Sequence, residues 1–553
     1  MLGQEMTSDW TKSTSSRSRE FAVTMGAEDV IAAMRKGSPE SITSNESYPN
    51  NLTSFFGRAN YNFRELYLFT MTLRADGSSK FAPGNQWGYF PSAALAWRLS
   101  EEGFMEGTRH WLSNLKPRVS YGMAGNNRID DDLWKLTYST ASGGKDYFVS
   151  ETEQSRLVPN DVMSNENLKW ETTVTRNLGV DVGLFNNRLD AVIDLYYNST
   201  TDLLIRSRIP TSTGYGFQMQ NIGETSNKGI EFVLNGAIIE QPNFSLNASF
   251  NIAFNKNMVE QLGDEKTLLF NSGWYGNANG PGDDYIVREG ESLGKIYGYV
   301  YDGFYTFDDF TYDGSAWVLN EDVVDNSSVS GASFFGPGAI KYKKVASDGS
   351  NVIGMETDKT IIGDANPVHT GGFNINMRYR NLDFSSFFNW VYGNDIYNAN
   401  KIAFQTGYDS SSKYRNVLTT VASDKRFMYI DPATGADLRQ DRDALMALNA
   451  NATMHSPIIT RSRLSSDAIE DGSFLRLNNV TLGYTLPKGF TQRANISSVR
   501  FYVTGYNLVT WTNYSGYDPE VDTRRSQGPM TPGVDFSAYP RSRSVIGGVN
   551  VTF

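Results

Sequence analysis

A chain of 553 residues with a formal net charge of −11 lacks the basic face that displaces counterions from phosphate, so a nucleic-acid partner is not expected. It has no cysteine, which rules out a disulfide framework and any thiolate metal centre. Aromatics reach 13% against only 39% hydrophobic residues, and no run approaches the ~20 apolar residues of a spanning helix; a barrel of one-sidedly apolar strands remains as the way to cross a bilayer.

The chain opens with Met1-Leu2-Gly3-Gln4-Glu5-Met6, which has neither the basic stretch nor the apolar core of an export signal. From residue 54 onward, period-2 alternation recurs: Tyr67, Phe69, Met71 and Leu73 alternate with Leu68, Thr70, Thr72 and Arg74. Farther on, Phe244, Leu246, Ala248, Phe250 and Ile252 alternate with serines and asparagines, and Phe373, Ile375, Met377 and Tyr379 alternate with Asn374, Asn376, Arg378 and Arg380. The pattern predicts strands over 54–62, 66–76, 88–99, 115–125, 170–185, 188–205, 229–239, 244–258, 368–380, 382–396, 473–486, 496–511 and 542–553.

The connections between them are unequal. Tight turns at Asn62–Glu65, Phe185–Arg188, Glu240–Asn243 and Tyr379–Asp383 interleave with long loops over about 126–168, 206–228, 263–366, 397–472 and 512–541. With the last strand running toward the turn side, every tight turn falls on one side, and so does the longer connection 100–114. This is the arrangement of outer-membrane barrels, with short periplasmic turns and long external loops. The last strand alternates through Val545, Gly547, Val549, Val551 and Phe553. Val549, Val551 and Phe553 are therefore read as a barrel-assembly signal, an ordinary final strand being the plainer reading.

Short motifs add to the pattern: GRANY (57–61), RADGSSKF (74–81), GYFPS (88–92), SEEGFM (100–105), LKPRVSYGMAGNN (115–127), NIGETSNKGIEFVLN (221–235), YGYVYDGFY (297–305), DGSFLRLNNVTLGYTLP (471–487) and YPRSRSVIGGVNVTF (539–553). These collinear blocks resemble the SusC/RagA-type TonB-dependent transporters. The resemblance implies an all-β, antiparallel up-and-down transmembrane β-barrel in the outer membrane of a Gram-negative bacterium, surrounded by outer-membrane lipid. It implies import of a nutrient, an oligosaccharide or a peptide, with a SusD-like surface lipoprotein as partner and a TonB complex acting through a plug domain. Residues 1–553 then read as the C-terminal portion of such a barrel, about 14 of 22 strands, with Leu2–Glu5 resembling the end of one of its strands and the plug and the earlier strands outside the sequence.

No enzymatic chemistry is expected. His110, His369 and His455 lie in unlike segments, and the acidic runs Asp130-Asp131-Asp132 and Asp283-Asp284 read as solvated loop charge. No cofactor is expected, and no metal, because Asp348 and Asp358 lack calcium-loop spacing. Loop aromatics Trp274, Tyr275, Trp317, Phe334, Phe335, Tyr408 and Tyr414 are the substrate-contact candidates, since a rigid ring offers a flat apolar face at low ordering cost; the alternative is that they hold the loops together. Asp190, Asp194 and Arg378 are expected on the polar, pore-facing side, and Trp87, Tyr89, Phe90, Trp390 and Tyr392 in an interfacial aromatic girdle. Two other readings stay open: a complete 14-stranded passive channel, and a soluble β-rich glycan-binding protein whose apolar strand faces would pair in a core.

Overall fold

The computed structural model describes the whole chain except residues 23, 48, 141–146, 149–153, 156, 264, 276–280, 333, 406–416, 423, 460, 462, 492–494 and 524–527. Fourteen strands form one sheet in simple sequence order. They are β1 (Leu2–Asp9), β2 (Asn50–Phe63), β3 (Tyr67–Ser78), β4 (Trp87–Trp97), β5 (Leu112–Asn126), β6 (Glu171–Leu184) and β7 (Leu189–Thr201). Then come β8 (Glu224–Gln241), β9 (Phe244–Gln261), β10 (His369–Tyr379), β11 (Leu382–Tyr392), β12 (Phe474–Thr485), β13 (Ser498–Thr512) and β14 (Ser544–Thr552). All thirteen expected strands are present, and Leu2–Glu5 belongs to a full strand that pairs with β2. The alternation missed what lies between them: Lys12–Arg19 and Ser38–Glu46 pair as a separate polar hairpin.

The chain falls into two compact units: Met1–Arg98 with Pro117–Leu178 and Asn198–Glu224, and Leu99–Lys116 with Gly179–Tyr197 and Thr225–Phe553. In the first, cross-strand register sorts the side chains by face. Phe63, Tyr61, Ala59, Gly57 and Phe55 sit opposite Tyr67, Phe69, Met71, Leu73 and Ala75, which face Trp97, Leu95, Ala93, Pro91 and Tyr89. This face is apolar and open: Tyr61, Met71, Leu73 and Tyr89 are all exposed. On the other face Asn60 Oδ1 accepts from Thr70, and Arg74 donates to Asp76, Ser54 and Glu5. A water-soluble sheet would bury the apolar rows under a second layer. Here they are exposed, as a lipid-facing belt requires.

Phe90 corrects the girdle expectation. Trp87 and Tyr89 stand on the open face, and strand alternation turns Phe90 to the opposite one, where it is 7% exposed between Phe81 and Trp170. Its ring lies over Gly88 and Gly125, where an added Cβ would run into it.

The second unit repeats the pattern. Phe244, Leu246, Ala248 and Phe250 pair with Tyr379, Met377, Ile375 and Phe373, and the Phe373 and Phe388 rings stack with centroids 4.4 Å apart. Leu482 and Val503 sit opposite each other and are exposed, as are Val549 and Val551. Trp390 and Tyr392 lie on this face as expected, Trp390 stacked on Phe250 and Tyr392 on His369.

A bulge in β12 changes the phase. Phe387 pairs with Asn479 and Phe388 with Leu477, so Asn478 is extra. Leu475 and Leu477 keep the apolar face before it, and Val480 and Leu482 after it, which leaves Arg476 on the polar side.

Three of the four tight turns rest on left-handed backbone. Arg64 and Glu65, with φ of 54° and 60°, are the central pair of a turn closed by the Leu66 amide donating to the Phe63 carbonyl at 3.0 Å, at a cost of about 1 kcal/mol per non-glycine residue. Phe185–Asn187 and Arg380 are left-handed at two other turns.

Candidate functional site

The long connections of the second unit fold on one another. Thr267–Phe270, Tyr285–Arg288, Lys295–Gly298 and Thr360–Asp364 form a small sheet within one connection. Asp395–Asn398 pairs antiparallel with Ile469–Asp471 of its own connection and parallel with Val534–Asp535 of the one after β13, so two connections are joined by backbone bonds.

Their shared core contains Trp274, Tyr285, Ile296, Tyr397 and Val534. Trp274, a contact candidate from the sequence, is 1% exposed, and its Nε1 donates to Tyr397 Oη at 2.7 Å. Tyr275 lies edge-on to it, half-buried. Trp274 therefore holds the loops together; its ring has no face left for a ligand. A second group brings Trp317, Phe334 and Phe335 near one another. Phe334 meets Tyr429 at 5.1 Å, Phe335 meets Tyr305 at 5.3 Å, and Trp317 Nε1 donates to the Arg439 carbonyl at 3.0 Å. These three are half-buried and keep part of each ring accessible. Tyr408 and Tyr414 lie outside the described residues.

Two loop carboxylates behave differently from solvated charge. Asp284 is fully buried beside the first aromatic core, with the Ser272 amide donating to it at 2.7 Å and the Ser272 hydroxyl donating as well. Burial raises its pKa to about 7 against the Ser272 hydrogen bonds, with Asp283 adding repulsion, so the solvated reading fails for this residue. Asp358 is also sealed. Burial would raise its pKa, but Lys344 and the amides of Ala346, Gly354 and Val345 outweigh that and hold it well below the usual carboxylate range. Lys344 Nζ lies 2.8 Å from Asp358 and 3.0 Å from Asp348 and supplies positive charge to both carboxylates.

Arg476 and Asp518 were not singled out from sequence. Arg476 is 1% exposed, donates to Asp518 and lies over the Phe474 ring, while Arg541 reaches Glu520 at 3.0 Å. The pair ties β12 to the connection after β13. The available signal was an arginine three residues into an apolar strand, upstream of a GYDPE turn. Asp190 and Asp194 are half-buried, and Arg378 is exposed opposite Asp383 on the polar side of β10 and β11.

A cleft of about 910 Å³ opens where β7, β8 and β9 of the second unit meet its loops. Its frame is polar. Tyr196 Oη donates to Asn255 at 2.8 Å, Asn257 Nδ2 donates to Asn366 at 2.9 Å, and Lys295 pairs with Asp364 at 2.7 Å. Gly229 lets these strands approach, since a Cβ there would strike Tyr196 and the Phe254 carbonyl. At the far end of the sheet, Phe553 is 87% exposed, with Val549 and Val551 exposed beside it. Among the described residues no group of three or more His, Asp or Glu side chains could hold a metal ion.

The sequence model of the family described as TonB dependent receptor-like, beta-barrel matches residues 5–323. TonB-dependent receptor P3 of Formosa agariphila is 35% identical over 517 residues, 92% of this chain and 46% of that protein. TonB-dependent receptor SusC of Bacteroides thetaiotaomicron is 31% identical over 516 residues, 91% of this chain and 44% of that protein. The chain thus spans about half the length of the curated relatives it matches. Among solved structures, the RagAB peptide importer in its open-open state superposes with a TM-score of 0.72 at 22% identity, over 100% of this chain and 52% of that one, a likeness of fold.

Proposed function

This chain belongs to the TonB-dependent receptor β-barrel family, SusC/RagA type, of the Gram-negative outer membrane, and on that premise we propose that it serves import of an oligosaccharide or a peptide. The observation that carries the reading is the open apolar face of the sheet, Tyr61 to Leu95 in one unit and Phe244 to Val551 in the other, backed by a polar face of asparagine, threonine and paired charges. Such a sheet presents hydrocarbon to lipid and water to a pore. Its function is passage and gating; bond chemistry has no part in it.

Loops welded into a cap suit recognition at the outer surface, where Trp317, Phe334 and Phe335 offer half-open rings to a sugar or an apolar peptide side chain. Tyr517 and Tyr539, 84% and 92% exposed on the connection after β13, suit contact with a SusD-like lipoprotein. Energy would come from an inner-membrane TonB complex acting on a plug domain. The test is uptake of labelled oligosaccharides and peptides by cells with and without the receptor. Accumulation of one class that disappears on deletion supports the proposal and identifies the substrate class. Equal uptake of both classes in the deletion strain removes it.

A further inference from the structure

Two lysines lining the cleft point the same way as the lipid-facing residues. On β8, Lys228 precedes Ile230 and Phe232 by two and four positions, and on β9 Lys256 follows Phe254 and Phe250 by two and six; strand alternation puts all of them on one face. That face is the apolar one: Phe232 meets Phe250, Phe250 stacks on Trp390, and Phe254 meets His369, which stacks on Tyr392. Both lysines are exposed and stand one step, roughly 7 Å along the strand, beyond this aromatic row toward the long loops. Neither enters an ion pair among the described residues. The carboxylates lining the cleft are already engaged, Asp364 with Lys295 at 2.7 Å and Glu291 with Arg288 at 3.3 Å. The charge left uncompensated is that of Lys228 and Lys256. Exposed Ile230 and Phe254 lie directly below them.

We propose that this cleft binds the phosphorylated headgroup of an anionic lipid in the outer leaflet, with Lys228 and Lys256 on the phosphate and an acyl chain laid along Ile230 and Phe254. The inference rests on the membrane-spanning reading above. Three features of the cleft select this occupant: positive charge at headgroup depth, an aromatic girdle marking that depth, and apolar surface continuing into the bilayer. A soluble sugar or peptide substrate would have no use for the hydrocarbon-facing side of the wall.

The test extracts the receptor from its own outer membrane in mild detergent and weighs it with its retained lipids by native mass spectrometry, for the wild type, the Lys228→Gln/Lys256→Gln double variant and a Lys343→Gln control. The wild type and control are expected to keep phosphorylated lipid. The double variant is expected to lose it by roughly 30-fold, since each lysine near a membrane surface contributes about a factor of five. Equal retention by the double variant overturns the proposal, as does a lipid-free wild type. Retention of inorganic phosphate in place of lipid overturns it too, by reassigning the cleft to a soluble anion. Heat-modifiable gel migration is recorded for every sample. A chain that stays soluble without detergent and shows no such shift sinks the membrane reading itself, an outcome distinct from loss of the lipid alone.

Discussion

Arg476 and Asp518 form an ion pair that is almost closed to water, their side chains 1% and 9% exposed, and it joins the start of β12 to the connection that follows β13. Glu520, 3.8 Å from Arg476, and Arg541, 3.9 Å from Asp518, extend the pair into a four-charge network at the edge of the loop cap. Removing one partner of a sealed pair leaves the other charged and unsolvated, which costs about 3–5 kcal/mol. Asp518→Ala should therefore loosen the loop attachment by that amount, read as faster hydrogen exchange at residues 474–477 and 517–520. The apolar replacement Arg476→Met with Asp518→Leu should recover most of the loss. Unchanged exchange in Asp518→Ala would show that the pair does not hold the cap.

The buried carboxyl of Asp284 predicts a pH dependence. Its folded-state pKa, about 7, lies above the ordinary model value of 3.8, so between those values the folded loop holds a proton that the unfolded loop releases. That contribution to stability is complete below about pH 4 and is lost as pH rises to about 7. The core around Trp274 should accordingly be harder to open at pH 5 than at pH 8, seen as a fall in Trp274 protection from quencher at the higher pH. Asp284→Asn keeps the shape, removes the titration and should flatten the profile. A slope that survives in Asp284→Asn assigns the effect to another group.

Phe90 covers Gly125, and no room remains for a methyl between them. Gly125→Ala should overpack this cluster and destabilise the first unit by about 1–3 kcal/mol, measured as a shift of the urea midpoint. Coupling gives the sharper check. Once Phe90→Ala has removed the ring, adding Gly125→Ala should cost nothing further, whereas independent sites would sum.

Met71 and Thr72 are neighbours on β3 that face opposite ways: Met71 pairs with Ala59 and Ala93 on the open apolar face, Thr72 with Arg58 and Ser92 on the polar one. An arginine facing hydrocarbon near the bilayer midplane costs about 2–4 kcal/mol. Met71→Arg should reduce the folded, heat-modifiable fraction in lipid vesicles by that amount, while Thr72→Arg should leave it nearly unchanged. Equal tolerance of both would remove the lipid-facing belt and the transporter reading with it.

Strand positions were legible because a strand's two faces write themselves as period two, and Tyr67 to Leu73 or Phe244 to Ile252 carry that signal without any distant partner. The same rule separates Tyr89 from Phe90; placing both in the girdle ignored it. The hairpin at Lys12–Arg19 and Ser38–Glu46 was illegible because both its faces are polar, so no alternation marks it. Loop residues were least legible of all. Asp283 and Asp284 are adjacent and identical, yet one is half-buried and the other is sealed against Ser272.

By itself, then, the sequence determined the alternation, the order of the thirteen strands from residue 54 onward, the side on which the tight turns fall and the family, all of which are local or collinear properties. Tertiary structure alone decided which loop aromatics became core, as with Trp274 on Tyr397, and which face of β12 received Arg476. Read as unbroken alternation, Arg476 would share a face with Val480 and Leu482 and point into lipid. The single extra residue at Asn478 shifts the phase by one and turns the guanidinium toward Asp518. A bulge exists only as a relation between two strands, and the burial of the Trp274 ring depends on Tyr397, 123 residues away, so neither is written in any local stretch of the chain.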